Sequence, residues 1–104
     1  MITTKDDVLK VNGKGFRATS EQYVFENGIA QVYTLIPTSR AKKGTIRMNS
    51  YVVEYLDKFT VVLAPYTLEK VDFSGLVKQG FISGIHTIPC KNMTESLETV
   101  ALMA

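Results

Sequence analysis

The chain of 104 residues has a single cysteine, Cys90, and no tryptophan. One thiol cannot form an internal disulfide, whereas secreted domains of this size usually carry an even set of cysteines. One cysteine and one histidine also fall short of the three or four ligands of a zinc site, so we expect no metal and no cofactor. The composition favours a reducing compartment, which we take to be the cytoplasm.

Long hydrophobic runs are also missing. The apolar stretch at residues 61–64 is far shorter than the roughly 20 residues needed to cross a bilayer. The start of the sequence lacks the basic and apolar segments of a signal peptide. A hydrophobic content of 45% with 21% charged residues is typical of a globular chain. We therefore expect one domain over residues 1–104, without membrane association.

Neither sign of charge is in large excess. The formal net charge of +2 is too small to indicate a polyanionic partner. The distribution is uneven, however. Residues 1–50 contain eight Lys or Arg and four acids, a net of +4, whereas residues 51–104 contain four and six, a net of −2. This asymmetry predicts one basic face and one acidic face.

The clearest local pattern is a β-hairpin. Residues 22–26 and 29–36 are rich in aromatic and β-branched side chains, and they flank Asn27-Gly28, a dipeptide favoured in two-residue type I′ turns. Pro37 ends the second strand because it lacks the N–H that a ladder needs. We predict an α+β fold, a mostly antiparallel sheet seeded by the hairpin at Asn27-Gly28, with one or two helices packed on it.

Residues 49–59 allow two interpretations. Six apolar side chains recur at the spacing of an amphipathic helix. They are Met48, Tyr51, Val52, Tyr55, Leu56 and Phe59. The high content of Val and Tyr suits a strand that turns at Asp57-Lys58 instead. Because all six positions fit the helix, and strand alternation is imperfect at Val52 and Glu54, we predict a helix.

Weaker patterns predict the other elements. They are a helical turn over residues 4–10, a buried strand over 59–64, an exposed strand over 67–73, a short helix over 74–79 and a strand over 81–88. Gly80 is suited to end the short helix in a left-handed conformation. Asn92 and Glu95 have the spacing of a capping box. The apolar stripe of a C-terminal helix follows at Met93, Leu97, Val100 and Ala101.

His86 and Cys90 are the one pair suited to nucleophilic catalysis. A thiolate–imidazole dyad needs hydrogen-bond contact and a third, orienting group. If the segment is extended, four residues separate the two side chains by roughly 13 Å. We therefore interpret them as a strand histidine and a packed thiol and predict no enzymatic activity, with a Cys/His-dependent enzyme as a remote alternative.

A basic cluster is the main alternative to a protein-binding function. Cations concentrate in a polar loop over residues 38–47 and in a group before the hairpin. They are Arg40, Lys42, Lys43 and Arg47 in the loop, and Lys14 and Arg17 before the hairpin. Several cations between two β elements can contact a phosphate backbone. This alternative makes the chain a nucleic-acid-binding protein.

The leading interpretation is an interaction surface. Five tyrosines and four methionines supply adaptable contact area. On a helix over residues 49–59, Tyr51 and Tyr55 share the apolar face, and Val53 stands exposed on the polar side. These three residues form the predicted interface. We expect a small non-enzymatic accessory or regulatory protein, of the kind that viruses and mobile elements encode, that acts through a protein partner or by self-association as a dimer.

Overall fold

The computed structural model describes residues 7–11, 13–38, 48–65 and 71–103. Each strand in these ranges pairs antiparallel with the next along the chain, which gives a six-stranded meander in the order of the sequence. The strands are β1 (Asp7–Val11), β2 (Lys14–Phe25), β3 (Gly28–Pro37), β4 (Met48–Tyr55), β5 (Lys58–Pro65) and β6 (His86–Cys90). Two helices, α1 (Ser74–Gln79) and α2 (Met93–Met103), complete the predicted α+β fold.

The predicted hairpin about Asn27-Gly28 is confirmed as β2 and β3. Phe25 pairs with Gly28, so the two-residue turn consists of Glu26 and Asn27, and Gly28 is the first residue of β3. A Cβ atom on Gly28 would lie 3.3 Å from Leu56 Cδ2 and 3.5 Å from Cε1 of Tyr55. Glycine is favoured here by a φ of 158°, which L-residues rarely adopt, and by close packing against the neighbouring β4–β5 turn, although Gly28 lies just outside the two-residue turn in which the sequence placed it.

The helix predicted over residues 49–59 is wrong, because these residues form β4, a turn at Leu56-Asp57 and the start of β5. The cause is burial on both sides of the sheet. Val52 and Val53 are adjacent in sequence and point to opposite faces, yet both are buried. Residues 61–64 are buried without interruption for the same reason. Two-sided burial removes the alternation of apolar and polar residues by which a strand is recognised.

Hydrophobic side chains pack on both faces of the sheet. One face, here called the α2 face, is covered by α2. Its buried residues, with those of α2, are Phe16, Ala18, Leu35, Val52, Val61, Leu63, Val100 and Ala101. The opposite face, called the α1 face, is covered by α1 and the residues before it. Its buried residues, with those of the covering segment, are Ala30, Val32, Val53, Val62, Ala64, Val71, Phe73 and Leu76.

Helix α1 ends, and helix α2 begins, at the residues that the sequence predicts. Gly80 adopts a left-handed φ of 86° after α1, and its N–H donates to the Leu76 carbonyl at 2.9 Å. At the start of α2, the Glu95 N–H donates to Asn92 Oδ1 at 2.8 Å. The predicted stripe faces the sheet at Met93, Leu97, Val100 and Ala101. Neither helix of the described ranges has the length and apolar character needed to span a membrane.

Three weaker predictions need correction. Residues 7–10 pair with β2 as part of strand β1, so the helical turn predicted over 4–10 is wrong there. Residues 4–6 lie outside the described residues. The strand predicted over 81–88 starts only at His86, since Gly84 takes a φ of 77° in the turn before it. Of the strand predicted over 67–73, residues 71–73 are irregular and 67–70 lie outside the described ranges. The strand over 59–64 is confirmed.

Replacing Val53 with alanine should destabilise the fold, because its side chain is 1% exposed and its loss leaves a cavity. We expect the free energy of unfolding to fall by about 2–3 kcal/mol in urea denaturation followed by circular dichroism. Leu102→Ala is the control, since it removes a larger side chain that is 80% exposed. That variant should lie within about 0.5 kcal/mol of the parent. Equal losses in the two variants would contradict the burial of Val53.

Candidate interaction surface

Two tight turns lie side by side at one end of the sheet, which we call the turn end. They are Glu26-Asn27, between β2 and β3, and Leu56-Asp57, between β4 and β5. Three large apolar side chains are exposed here. Val24 is 80%, Ile29 55% and Leu56 59% exposed. Val24 and Ile29 are directly opposed on the α2 face, and Leu56 lies against Gly28, the neighbour of Ile29. We call these three residues the turn-end patch.

Leu56 is held in an unfavourable backbone conformation. Its φ is 49° and that of Asp57 is 61°, so both residues are left-handed. Positive φ at both central positions is the geometry of a type I′ turn, for which Asn and Gly are the usual residues. A left-handed conformation costs an ordinary L-residue about 1–2 kcal/mol, and leucine has no polar group to offset that cost locally. A strained residue with an exposed apolar side chain is a candidate for a binding function.

A groove of about 470 Å³ opens beside Leu56, between the β4–β5 turn, the end of α1 and the end of β6. Its walls combine apolar and polar surface in similar amounts. The described residues that line it are Val53, Tyr55, Leu56, Lys58, Phe59, Thr60, Leu76, Val77, Lys78, Gln79, Gly80, Pro89 and Cys90. Lys58 and Lys78 are the charged members of this set, and no acidic residue belongs to it. The groove thus combines apolar contact area with positive charge.

The packing of α1 on the sheet sets the shape of the groove. Leu76 is 8% exposed and Phe73, just before the helix, is 5% exposed, so both anchor α1 to the α1 face. Lys78 then projects from the last turn, where a cation is stabilised by the helix dipole. Lys58 is supplied by the first position of β5, opposite Tyr55. The two lysines are brought to one groove only by the folding of α1 onto the sheet.

The three residues predicted as an interface lie together, but on a strand. Tyr51, Val53 and Tyr55 alternate along β4 and face the α1 side. The predicted exposure of Val53 is wrong, because on a strand Val53 shares the buried face with the two tyrosines instead of standing opposite them as on a helix. Val53 and Tyr55 line the groove. Residues that the sequence marked as an exposed patch are therefore part of a groove wall.

The two tyrosines are held by other aromatic rings. Tyr51 meets Phe73 edge-on, with 5.5 Å between ring centroids, and Tyr55 meets Phe25 at 6.1 Å. Burial raises the pKa of Tyr51 above its usual value. Both side chains are only partly exposed. Tyr51 and Tyr55 therefore contribute mainly to packing within the fold, and Tyr55 also lines the groove.

His86 and Cys90 do not meet in the described structure. Both lie on β6, where His86 pairs with Leu63 and Cys90 with Phe59. In an extended strand this separation corresponds to roughly 13 Å. The Cys90 thiol lies 3.7 Å from Oγ1 of Thr99 on α2. Among the residues that the structure describes, no group of three His, Cys, Asp or Glu side chains is placed to hold a metal ion.

Two of the predicted basic residues belong to β2 near the opposite end of the sheet. Lys14 and Arg17 belong to β2, next to the β1–β2 turn. The chain leaves β3 at this end, where the Thr38 N–H donates to the Gly15 carbonyl at 3.0 Å, and it enters β4 here at Met48. The four cations predicted for the loop lie outside the described residues. They are Arg40, Lys42, Lys43 and Arg47.

Sequence reasoning missed Leu56, Lys58 and Lys78. The helix interpretation placed Leu56 on an apolar face and Lys58 in solvent. A hairpin signal was hard to find, because Leu56-Asp57 has neither the Asn nor the Gly that marks a type I′ turn. The high content of Val and Tyr on both sides of the turn was the available signal for two strands.

Comparison of the chain with protein-family models, with curated proteins and with solved structures found no match. A function therefore has to be argued from the geometry and chemistry of the surface itself.

The double substitution Leu56→Asn with Asp57→Gly should stabilise the protein, because Asn and Gly adopt positive φ at little cost. We expect the free energy of unfolding to rise by about 1 kcal/mol in urea denaturation. Leu56→Ala is the matched control, since it removes the same exposed side chain but keeps an L-residue with a Cβ atom in the left-handed position. A double variant no more stable than Leu56→Ala would show that the turn is unstrained.

Proposed function

We propose that the chain is a non-enzymatic binding protein that docks an apolar, acidic segment of a protein partner in the groove between the β4–β5 turn and α1. The supporting observation is the composition of the groove. Apolar side chains such as Leu56 and Leu76 are combined with Lys58 and Lys78, and no acid is among the described residues of the lining. Such a surface favours apolar side chains flanked by Asp or Glu.

The size of the groove fits a short segment. A volume of about 470 Å³ lies within the range of roughly 300–1,000 Å³ found for ligand sites. Apolar contact supplies most of the free energy, at about 25 cal/mol for each Å² removed from water. The two lysines, both exposed at the rim, supply orientation and a faster encounter with acidic partners.

Leu56 adds an exposed apolar side chain to the groove. A partner seated in the groove would cover this side chain, which gives a physical reason for holding an exposed leucine in a strained turn. Val24 and Ile29 lie on the α2 face, on the opposite side of the sheet from the groove.

Selection from a phage library of random twelve-residue peptides tests this proposal. Peptides recovered on the intact chain should be enriched in apolar residues together with Asp and Glu. Lys58→Glu with Lys78→Glu should weaken the binding of a recovered peptide by roughly tenfold or more in fluorescence polarisation, because attraction at the rim becomes repulsion. Exchanging the acids of that peptide for lysine should restore its affinity for the double variant.

Lys10→Glu is the control for charge and is matched to the single variant Lys58→Glu, because Lys10 is also exposed but lies at the opposite end of the sheet. That variant should bind the peptide as tightly as the parent. No peptide enrichment, enrichment of basic peptides, or equal losses in the groove variant and in Lys10→Glu would overturn the proposal.

A second candidate function, nucleic-acid binding, is favoured by the topology of the basic end. Lys14 and Arg17 belong to β2 at the same end of the sheet at which the chain leaves β3 and enters β4. The segment between those strands carries the predicted basic cluster. Cations drawn from separate parts of the sequence would thus act on one phosphate backbone.

Lys42→Glu with Lys43→Glu should abolish binding of single- and double-stranded DNA or RNA in filter assays at low ionic strength. Binding by the parent should weaken steeply as salt is added, because phosphate contacts release counterions. Lys58→Glu with Lys78→Glu is the control at the turn end and should leave retention unchanged. Absence of retention by the parent at low salt would remove this candidate.

A further inference from the structure

One side of helix α2 carries an exposed apolar side chain beside two acids. Leu102 is 80% exposed, Glu98 is exposed and Glu95 is partly exposed. Residues 93–103 contain no Lys or Arg. Positions 95, 98 and 102 are three and four residues apart, so their side chains lie on the same side of the helix. We call Glu95, Glu98 and Leu102 the α2 stripe.

The α2 stripe points away from the sheet. The apolar side chains by which α2 packs on the sheet are Met93, Leu97, Val100 and Ala101. With 100° between successive residues, these four positions lie on the side of the helix opposite to positions 95, 98 and 102. The packing of α2 on the sheet therefore leaves the stripe turned outward.

The composition of the α2 stripe is complementary to that of the groove. The groove contains Lys58 and Lys78, the exposed side chain of Leu56, and no acid among its described residues. The stripe offers an exposed leucine and two carboxylates on one side of a helix. A helix that lays one side into a groove is a recurrent mode of recognition between proteins. Charge and apolar contact thus match between the two surfaces.

A chain cannot bring its own stripe into its own groove. Helix α2 covers the α2 face, and the stripe points outward from it. The groove is lined by α1 and by residues of the opposite face, such as Val53. The whole sheet therefore lies between the stripe and the groove of one copy, and a contact between these two surfaces has to join two copies.

We infer, on the basis of the function proposed for the groove, that the groove of one copy binds the α2 stripe of a second copy. Leu102 contacts the apolar part of the groove, and the two carboxylates of the stripe lie toward Lys58 and Lys78. Opposite charges at the rim orient the two copies and accelerate their encounter. The partner segment of the groove is then a helix surface of the same chain.

This contact joins two different surfaces, so a copy whose groove is filled still offers its own stripe. Association through such a heterologous contact continues to longer assemblies or closes into a ring, instead of stopping at a dimer. The groove of about 470 Å³ takes only a few side chains, so the contact is smaller than a standard interface of about 800 Å² per partner. We therefore expect weak association that grows with concentration.

Sedimentation equilibrium tests the association. Between about 10 and 500 µM the average mass of the parent should rise above that of one 11.6 kDa chain, with a Kd on the order of 100 µM. Leu102→Ala and Glu98→Lys should each weaken association by roughly tenfold, since they remove apolar contact and reverse a charge. Glu26→Lys is the matched control for Glu98→Lys. Glu26 is also exposed, but it belongs neither to α2 nor to the described lining of the groove.

Exchange of the charges identifies the two surfaces. Lys58→Glu with Lys78→Glu, and Glu95→Lys with Glu98→Lys, should each be monomeric alone, because groove and stripe then carry like charges. One chain with all four substitutions should associate like the parent, and it keeps the parent's net charge of +2. Circular dichroism should show that every variant is folded. Asn92 caps α2 through the backbone N–H of residue 95, so the cap persists when that side chain is replaced.

Three results would overturn the contact between copies. They are a parent that stays monomeric at about 500 µM, equal association of Glu98→Lys and Glu26→Lys, and a folded four-substitution chain that stays monomeric. A monomeric parent that still binds acidic, apolar peptides in its groove would overturn this contact and leave the proposed function intact, because the groove then binds a different protein. A peptide recovered on the groove should, by contrast, lower the average mass of an associating parent by competing with the stripe.

Discussion

Burial on both sides of β4 and β5 is the constraint on which the rest of the structure depends. An antiparallel sheet commonly leaves one face to water, so its strands alternate between apolar and polar residues. Here Val52 and Val53 are both buried, and so are residues 61–64. Each face of the centre of the sheet therefore needs its own cover. The chain provides α2 for one face and the short α1, with the residues before it, for the other.

The groove exists because α1 covers only part of the α1 face of the sheet. A helix of six residues is about 9 Å long, because each residue adds 1.5 Å. It covers the core near Val53 and Leu76 and then ends at Gly80. The sheet continues past it to the β4–β5 turn, which leaves the space lined by Lys58 and Lys78. The groove proposed as a binding surface thus lies where α1 stops covering the second face.

The sequence predicts elements whose cause is local and fails where the cause is tertiary. The pairing of β2 with β3, the end of α1 at Gly80 and the cap of α2 at Asn92 follow from preferences of a few neighbouring residues, although the turn lies at Glu26-Asn27, one residue before the predicted position. Residues 49–59 could not be assigned in the same way. Consecutive side chains are apolar here because segments that are distant in sequence pack on both faces of the strands. By coincidence, the spacing of these side chains matches that of a helix.

The same distinction holds for the site. The sequence predicted Tyr51 and Tyr55 on the apolar face of a helix and Val53 exposed on its polar side, whereas on strand β4 all three share one face, on which Val53 is buried and the tyrosines are half-buried. Lys58 and Lys78 line the same groove because α1 packs on the sheet, and no local pattern in the sequence indicates that packing.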